Sequence, residues 1–303
     1  RRQRQMCIRD SIVDDSVFMR TILKDIISRD PEIEVLGTAV DGIDALAKIE
    51  RLEPDIITLD IEMPRMNGIE VLQKLRRSPF AKKPKVLMLS SLTAEGGEMT
   101  LKAIRLGASD FLLKPTDLRK VRTIEEDVVG KIKHLVTLPD EIVKKPTPGT
   151  TSATRSDKAD TLVLIGSSAG GPQMLDTLLS MFPANLGAGV VITQHMPVGF
   201  TRSLAERLDS LSALHVKEAA EGDQLHRGLA LLAPGGHHLE FTHNGSAKLS
   251  LRPSVHGVRP AVDVTLTSLA EHFGDRCVAV IMTGMGRDGT NGAALIHLSL
   301  IHI

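Results

Sequence analysis

Thr161-Leu162-Val163-Leu164-Ile165-Gly166-Ser167-Ser168-Ala169-Gly170-Gly171-Pro172 is aliphatic and β-branched up to Ile165 and then breaks into small residues. The pattern predicts a buried strand that turns sharply into a helix. Gly166, Gly170 and Gly171 permit the turn, and Ser168 stands where a G-x-S-x-G nucleophile elbow sets its serine. The same strand, turn and helix also make an anion site from backbone N–H groups, so on this stretch alone a phosphate cradle is an equal alternative.

Downstream, Val190 to Gln194 reads as a second buried strand and ends at His195-Met196-Pro197. Cys277 to Met282 is the most apolar strand of this half and runs into the glycine-rich loop Thr283 to Gly289, which carries Asp288. In a parallel sheet the carboxyl ends of strands share one edge, so Ser168, His195 and Asp288 are expected to meet there as nucleophile, base and orienting carboxylate. Asp288 can also shape its own turn as an Asx residue, and Asp263 and Asp275 are weaker rivals for its place. Ten of the 11 histidines lie in this half; His237, His238, His243 and His256 fall on turns or hairpins, where surface solvation accounts for them. Asn244-Gly245 between two alternating runs predicts a β-hairpin with an architectural role.

Upstream, short apolar runs at Ile33 to Val40, Asp55 to Asp60, Lys85 to Ser91 and Asp110 to Lys114 alternate with amphipathic stretches, implying βαβ units around a parallel sheet. Polar residues end these runs: Asp14 and Asp15 after Ile12-Val13, then Asp60, Ser90 and Lys114. Three carboxylates brought together raise one another's pKa unless a cation intervenes, and oxygen ligands with water suit Mg²⁺. Capping of the following helix explains Asp14 or Ser16 but neither Asp60 nor Lys114. Arg9-Asp10-Ser11 stand where a first strand should be apolar, so the first ten or so residues look foreign to the domain.

Two domains fit a chain of 303 residues. Lys plus Arg and Asp plus Glu both number 37, which leaves no overall field for nucleic acid or anionic lipid. The second half also lacks a basic helix-turn-helix pattern, which disfavours a DNA-binding regulator. With only Cys7 and Cys277, neither a disulfide framework nor a cysteine metal site is indicated, and no apolar stretch reaches a membrane span; the reading is a cytoplasmic protein without membrane insertion. Leu118, Val121, Ile124, Val128 and Ile132 recur at helical spacing, and Thr137 to Asp160, rich in Pro, Thr, Ser and Lys, reads as a linker. The expected division is 12–136, a linker at 137–159, and 160–303.

Ile12-Val13-Asp14-Asp15-Ser16, Leu59-Asp60-Ile61-Glu62-Met63-Pro64, Ser90-Ser91 and Leu113-Lys114-Pro115 resemble the receiver domain of two-component response regulators. The resemblance implies a flavodoxin-like α/β fold with a five-stranded parallel sheet. It implies that Asp60 accepts a phosphoryl group, that Asp15, Asp60 and the Glu62 carbonyl hold Mg²⁺ with Asp14 acting through water, and that Ser90 and Lys114 bind phosphoryl oxygens. Ile165 to Pro172, Gln194 to Pro197, Ala233 to Leu239, Arg259 to Asp263 and Met282 to Gly289 together resemble the catalytic domain of chemotaxis protein-glutamate methylesterases. That resemblance implies a doubly wound α/β domain and hydrolysis of glutamate γ-methyl esters on chemoreceptors, often with deamidation of receptor glutamines. Ser168 is then nucleophile, His195 base and Asp288 its partner, the Met285 N–H serves the oxyanion, and no cofactor is needed in this domain. Implied partners are methylated chemoreceptors and a chemotaxis histidine kinase as phosphodonor, with phosphorylation relieving occlusion of the esterase. Ala169 stands where the family usually has threonine, and Leu298 to Ile303 does not continue the family pattern. The family leads one to expect a further strand and helix there, and hence a marginally stable second half.

Overall fold

The computed structural model describes residues 7–80, 82–91, 94–114, 121–138, 159, 161–282, 284 and 286–300, with backbone alone at 94–96, 121–123, 299 and 300. The chain divides into two compact units, Arg1–Asp140 and Glu141–Ile303.

In the first unit the strands β1 (Ile8–Val13), β2 (Ile33–Ala39), β3 (Ile56–Asp60), β4 (Lys85–Ser90) and β5 (Asp110–Leu113) form one sheet in the order β2-β1-β3-β4-β5. Every pairing is parallel. The helices are α1 (Val17–Ile27), α2 (Gly42–Leu52), α3 (Gly68–Arg77), α4 (Ala94–Leu106) and α5 (Val121–Thr137). Each early helix begins where a side chain satisfies its free N–H groups. Ser16 Oγ accepts from Met19 N–H at 3.4 Å, Asp41 Oδ1 from Ile43 and Asp44, and Asn67 with Glu70 closes a capping box. Ile12 and Ile56 from the sheet, Leu23 and Ile27 from α1, and Val128 and Ile132 from α5 make the core of one face.

The expectation that Arg9-Asp10-Ser11 lie outside the domain is corrected: β1 starts at Ile8 and pairs with β2 along its whole length. Backbone pairing fixes this, since Arg9 N–H donates to Asp55 Oδ2 at 2.8 Å and Arg9 O accepts from Asp55 N–H at 2.8 Å. The guanidinium of Arg9 meanwhile caps carbonyls at the end of α2, Leu52 O and Glu53 O. Asp10 is fully buried on β1, and burial pushes its carboxyl up to about 7 against the backbone groups of Ser11 and Thr58 that favour ionisation.

The second unit contains β6 (Thr161–Ser167), α6 (Gly171–Met181), β7 (Ala188–Gln194), α7 (Thr201–Leu211), β8 (His215–Glu218), β9 (Leu229–Leu232), β10 (His238–Phe241), β11 (Ala247–Ser250), α8 (Val262–Phe273), β12 (Cys277–Ile281) and α9 (Thr290–Leu300). Its parallel sheet runs β12-β6-β7-β9-β8, and β10 and β11 form the antiparallel hairpin around Asn244-Gly245. Ala159, Leu162 and Leu164 pack with Val262, Leu266 and Leu269 of α8 in the core. The apolar strand β12 is an edge strand, with Val278 and Ile281 about half exposed at 50% and 47%. Surface solvation does not account for His238, which is buried on β10: its Nε2–H donates to Pro253 O at 3.1 Å and its Nδ1 accepts from Ala261 N–H at 3.2 Å, fixing the start of α8.

Candidate active site

Three neighbouring strands deliver the three predicted residues. In the order β12-β6-β7, register places Ser167 opposite Gln194 and Ile281 opposite Gly166. Ser168, one residue beyond β6, therefore stands between the residues that follow β7 and β12. His195 Nδ1 lies 3.1 Å from Ser168 Oγ, and His195 Nε2 lies 2.7 Å from Asp288 Oδ2. A carboxylate only accepts, so Nε2 carries the hydrogen toward Asp288 and Nδ1 keeps its lone pair for the serine hydroxyl. The imidazole is thus held in the tautomer that can take a proton from Ser168.

Among the described residues, the partners of the Asp288 carboxylate lie outside its own turn. Its Oδ2 also accepts from Val262 N–H at 2.6 Å and its Oδ1 from Asp263 N–H at 2.9 Å, so the carboxylate sits on the amino end of α8. Burial acts to raise its pKa, but the His195 hydrogen bond and these two N–H groups hold it below the usual carboxylate range. Asp263 is tied to α9 instead: Oδ1 accepts from Gly292 N–H at 2.8 Å and Oδ2 from His256 Nε2 at 3.1 Å. Sequence patterning treated Asp263 as a rival of Asp288 and His256 as a solvated turn residue; in the fold both stand behind Asp288. Asp275 is exposed in a 3₁₀ turn, Gly274–Arg276.

A cavity of about 200 Å³ opens over this edge, lined by Ser168, His195, Asp288, Val262, Ile281 and Gly284 among others. The loop after β12 approaches so closely that a Cβ at Gly284 would stand 2.9 Å from the Cβ of Ser168. Gly170 adopts φ +72° at the amino end of α6, a conformation open to glycine that lets the chain reverse directly behind Ser168. Met285 lies outside the described residues. Such a site can transfer an acyl group: a hydroxyl with a base beside it, a carboxylate behind the base, and a small cleft in front.

The first unit gathers a second polar cluster at the carboxyl edge of its sheet. Carboxylate oxygens of Asp14, Asp15 and Asp60 lie within 4.8 Å of one another, and Lys114 Nζ stands 2.9 Å from Asp14 Oδ2 and 2.7 Å from Asp60 Oδ2. Burial pushes Asp60 up to about 6, with Asp14 adding to it and Lys114 opposing. Burial acts to lower Lys114, yet Asp60 and Asp14 beside it leave the ammonium raised overall. Three carboxylates against one ammonium leave hard oxygen donors in excess of positive charge, and that donor set fits a small divalent cation. Glu62 is exposed, and its N–H donates to Asp60 Oδ1 at 3.3 Å, setting its backbone at the rim of the cluster. Ser90 is buried one residue past the β3–β4 pairing, and its hydroxyl accepts from Thr100 Oγ1 at 2.6 Å. Among the described residues, no helix is long and apolar enough to cross a membrane.

Two family models match the chain: CheB methylesterase over residues 163–299 and response regulator receiver domain over residues 11–125. A protein-glutamate methylesterase/protein-glutamine glutaminase 1 of Methanospirillum hungatei is 46% identical over 298 residues, covering 95% of this chain and 84% of that protein. A protein-glutamate methylesterase/protein-glutamine glutaminase of Pyrococcus abyssi is 45% identical, with 94% and 80% covered. The protein of the same name from Thermotoga maritima is 44% identical, with 94% and 84% covered.

Proposed function

Because the chain belongs to the CheB methylesterase family and carries a response regulator receiver domain, we propose that it hydrolyses glutamate γ-methyl esters on chemoreceptors by a serine mechanism switched by phosphorylation. The observation that carries the reading is the hydrogen-bonded series Ser168, His195, Asp288, with distances of 3.1 and 2.7 Å. A phosphate cradle needs the N–H groups at α6 but has no use for an imidazole held between a hydroxyl and a carboxylate.

Ser168 Oγ attacks the ester carbonyl carbon while His195 Nδ1 takes the hydroxyl proton, and Asp288 steadies the imidazolium that forms. The tetrahedral intermediate collapses as the carbon–methoxy bond breaks, and His195 returns the proton to the leaving oxygen, releasing methanol. Water then attacks the acyl-serine, giving its proton to His195, and the ester to Ser168 breaks as His195 returns that proton to Ser168 Oγ, releasing glutamate and the free enzyme. A receptor glutamine follows the same course with ammonia as the leaving group. The Met285 N–H is the assigned donor to the oxyanion.

The functional division keeps the linker at 137–159 and the esterase unit at 160–303, while the receiver runs from β1 at Ile8, rather than from residue 12, to 136. In the receiver, Asp60 is the phosphoryl acceptor; Asp14, Asp15, Asp60 and the Glu62 carbonyl are the residues that would hold Mg²⁺, Asp14 through water. Bound there, the cation neutralises charge developing on the transferred phosphoryl group. Ser90 and Lys114 take phosphoryl oxygens, and a chemotaxis histidine kinase is the donor. The enzyme acts in the cytoplasm, on the cytoplasmic domains of methylated receptors.

The test is methanol release from methylated receptor membranes by the full chain and by Ser168→Ala. Loss by several orders of magnitude in the variant is expected; turnover near the parent rate means that Ser168 is not the nucleophile.

A further inference from the structure

The side chain of Gln194, buried at the end of β7, joins the backbones of both members of the Ser168–His195 pair. Its Nε2 donates to Ser168 O at 2.9 Å and to His195 O at 3.1 Å, and its Oε1 accepts from Ser167 Oγ at 2.6 Å. The two carbonyls can only accept, so the amide nitrogen must face them, and the assignment of the amide is forced. Beyond the last β6–β7 ladder bond, His195 N–H to Ser167 O at 3.0 Å, this amide is the next rung.

We propose that Gln194 is a positioning residue that sets the spacing between nucleophile and base. The inference rests on the Ser168–His195–Asp288 reading and adds to it the group that holds its first two members in register. The chain reverses at Ser168, whose carbonyl also accepts from Gly171 N–H at 2.9 Å, and among the described residues no backbone donor from a neighbouring strand reaches it. One amide supplies two donors and one acceptor there. Glutamate, methionine and asparagine each fail: the first lacks donors when ionised, the second has none, and the third is one methylene short. The fit is close enough that a Cβ at Gly171 would overlap Gln194 Oε1, which explains glycine at the first position of α6.

Around the amide stand the Ser167 hydroxyl from β6, the Ser168 carbonyl from the turn, the His195 carbonyl from its own strand end, and the Gly171 backbone of α6. None of these groups is charged, and the one titratable side chain among these residues is His195. A glutamate at position 194 therefore stays protonated well above its ordinary range and keeps one donor until it ionises.

The experiment measures kcat and KM for methanol release from methylated receptor membranes between pH 6 and 9, using the full chain with Gln194→Glu, Gln194→Met and Ser168→Ala. Gln194→Met is expected to lower kcat about 10- to 100-fold at every pH with KM within about twofold, because the reacting pair loses alignment while the cleft remains. Gln194→Glu is expected to gain an alkaline limb in kcat that the parent chain lacks. Parent-like kcat in Gln194→Met, or a parent-like pH profile in Gln194→Glu, overturns the proposal. Ser168→Ala separates the two readings: turnover surviving there removes the serine mechanism itself, whereas its loss beside unaffected Gln194 variants removes this inference alone. In the unsubstituted chain, where folding is not in question, the Gln194 side-chain amide protons should exchange with D₂O as slowly as buried ladder amides; exchange at the rate of a solvated glutamine also overturns it.

Discussion

Asp263 donates its backbone N–H to Asp288 Oδ1 at 2.9 Å while its own carboxylate accepts from Gly292 N–H at 2.8 Å, so one residue pins the orienting carboxylate from α8 and the start of α9 at once. The backbone donor survives substitution; the side-chain tie does not. Asp263→Ala is expected to destabilise the second unit by about 1–2 kcal/mol, the usual cost of a lost helix-end acceptor with a buried partner. It should also lower kcat about tenfold by loosening the loop that carries Asp288. Thermal melts beside steady-state kinetics check both, and unchanged kcat would show that the α8 N–H groups hold Asp288 without help.

Asp288→Asn tests the tautomer. Its carboxylate accepts from His195 Nε2–H, Val262 N–H and Asp263 N–H together, and an amide with a single oxygen cannot serve all three. If the asparagine NH₂ turns to His195, the imidazole must carry its hydrogen on Nδ1, facing Ser168, and can no longer act as base. A fall in kcat of about 10³–10⁴ is expected, with the melting temperature lowered by a few degrees because an α8 N–H loses its acceptor. A fall below tenfold would place the orienting carboxylate elsewhere.

Asp60→Asn tests the switch, since Asp60 stands with Asp14, Asp15 and Lys114 in one cluster. Mg²⁺ with a small phosphodonor should raise methanol release by the parent chain and leave the variant at its basal rate. Equal stimulation of both would separate activation from Asp60.

Asp10 gives a pH dependence with a definite sign. Its carboxyl, at about 7 when folded against 3.8 in the exposed chain, holds its proton longer in the folded state. Stability of the first unit therefore falls as pH rises from about 4 to about 7, and above that the penalty is constant, at most about 4 kcal/mol. Asp10→Val should raise the melting temperature by several degrees at pH 8 and by much less at pH 4.5. An equal gain at the two pH values would falsify the assignment of a protonated, buried Asp10.

Local pattern made much of this legible. The alternation of apolar runs and amphipathic stretches predicts both parallel sheets, because strand and helix periods are written in consecutive residues. The strand ends could be marked for the same reason, and Ser168, His195, Asp288, Asp14, Asp60 and Lys114 were found there. Even Asn244-Gly245 forms the turn between β10 and β11.

What the chain alone leaves open is adjacency between distant segments. Arg9-Asp10-Ser11 looks unfit for a strand, yet backbone bonds to Asp55 and full pairing with β2 outweigh side-chain preference and carry a carboxyl into an apolar core. His238 looks solvated on a hairpin, but α8 packs over it and uses its Nδ1 as an acceptor. Asp263 is only a weaker rival of Asp288 in the sequence, and what separates their roles is the placing of β12 beside β6, where one carboxylate meets His195 and the other meets Gly292. Gln194 carries no signal beyond a polar residue closing an apolar strand; its two acceptors come from different strand ends. Sequence determined the elements and the chemistry at their ends because both are local. Tertiary structure decided which end meets which, because hydrogen bonding and burial across the sheet depend on strand order, which no single segment encodes.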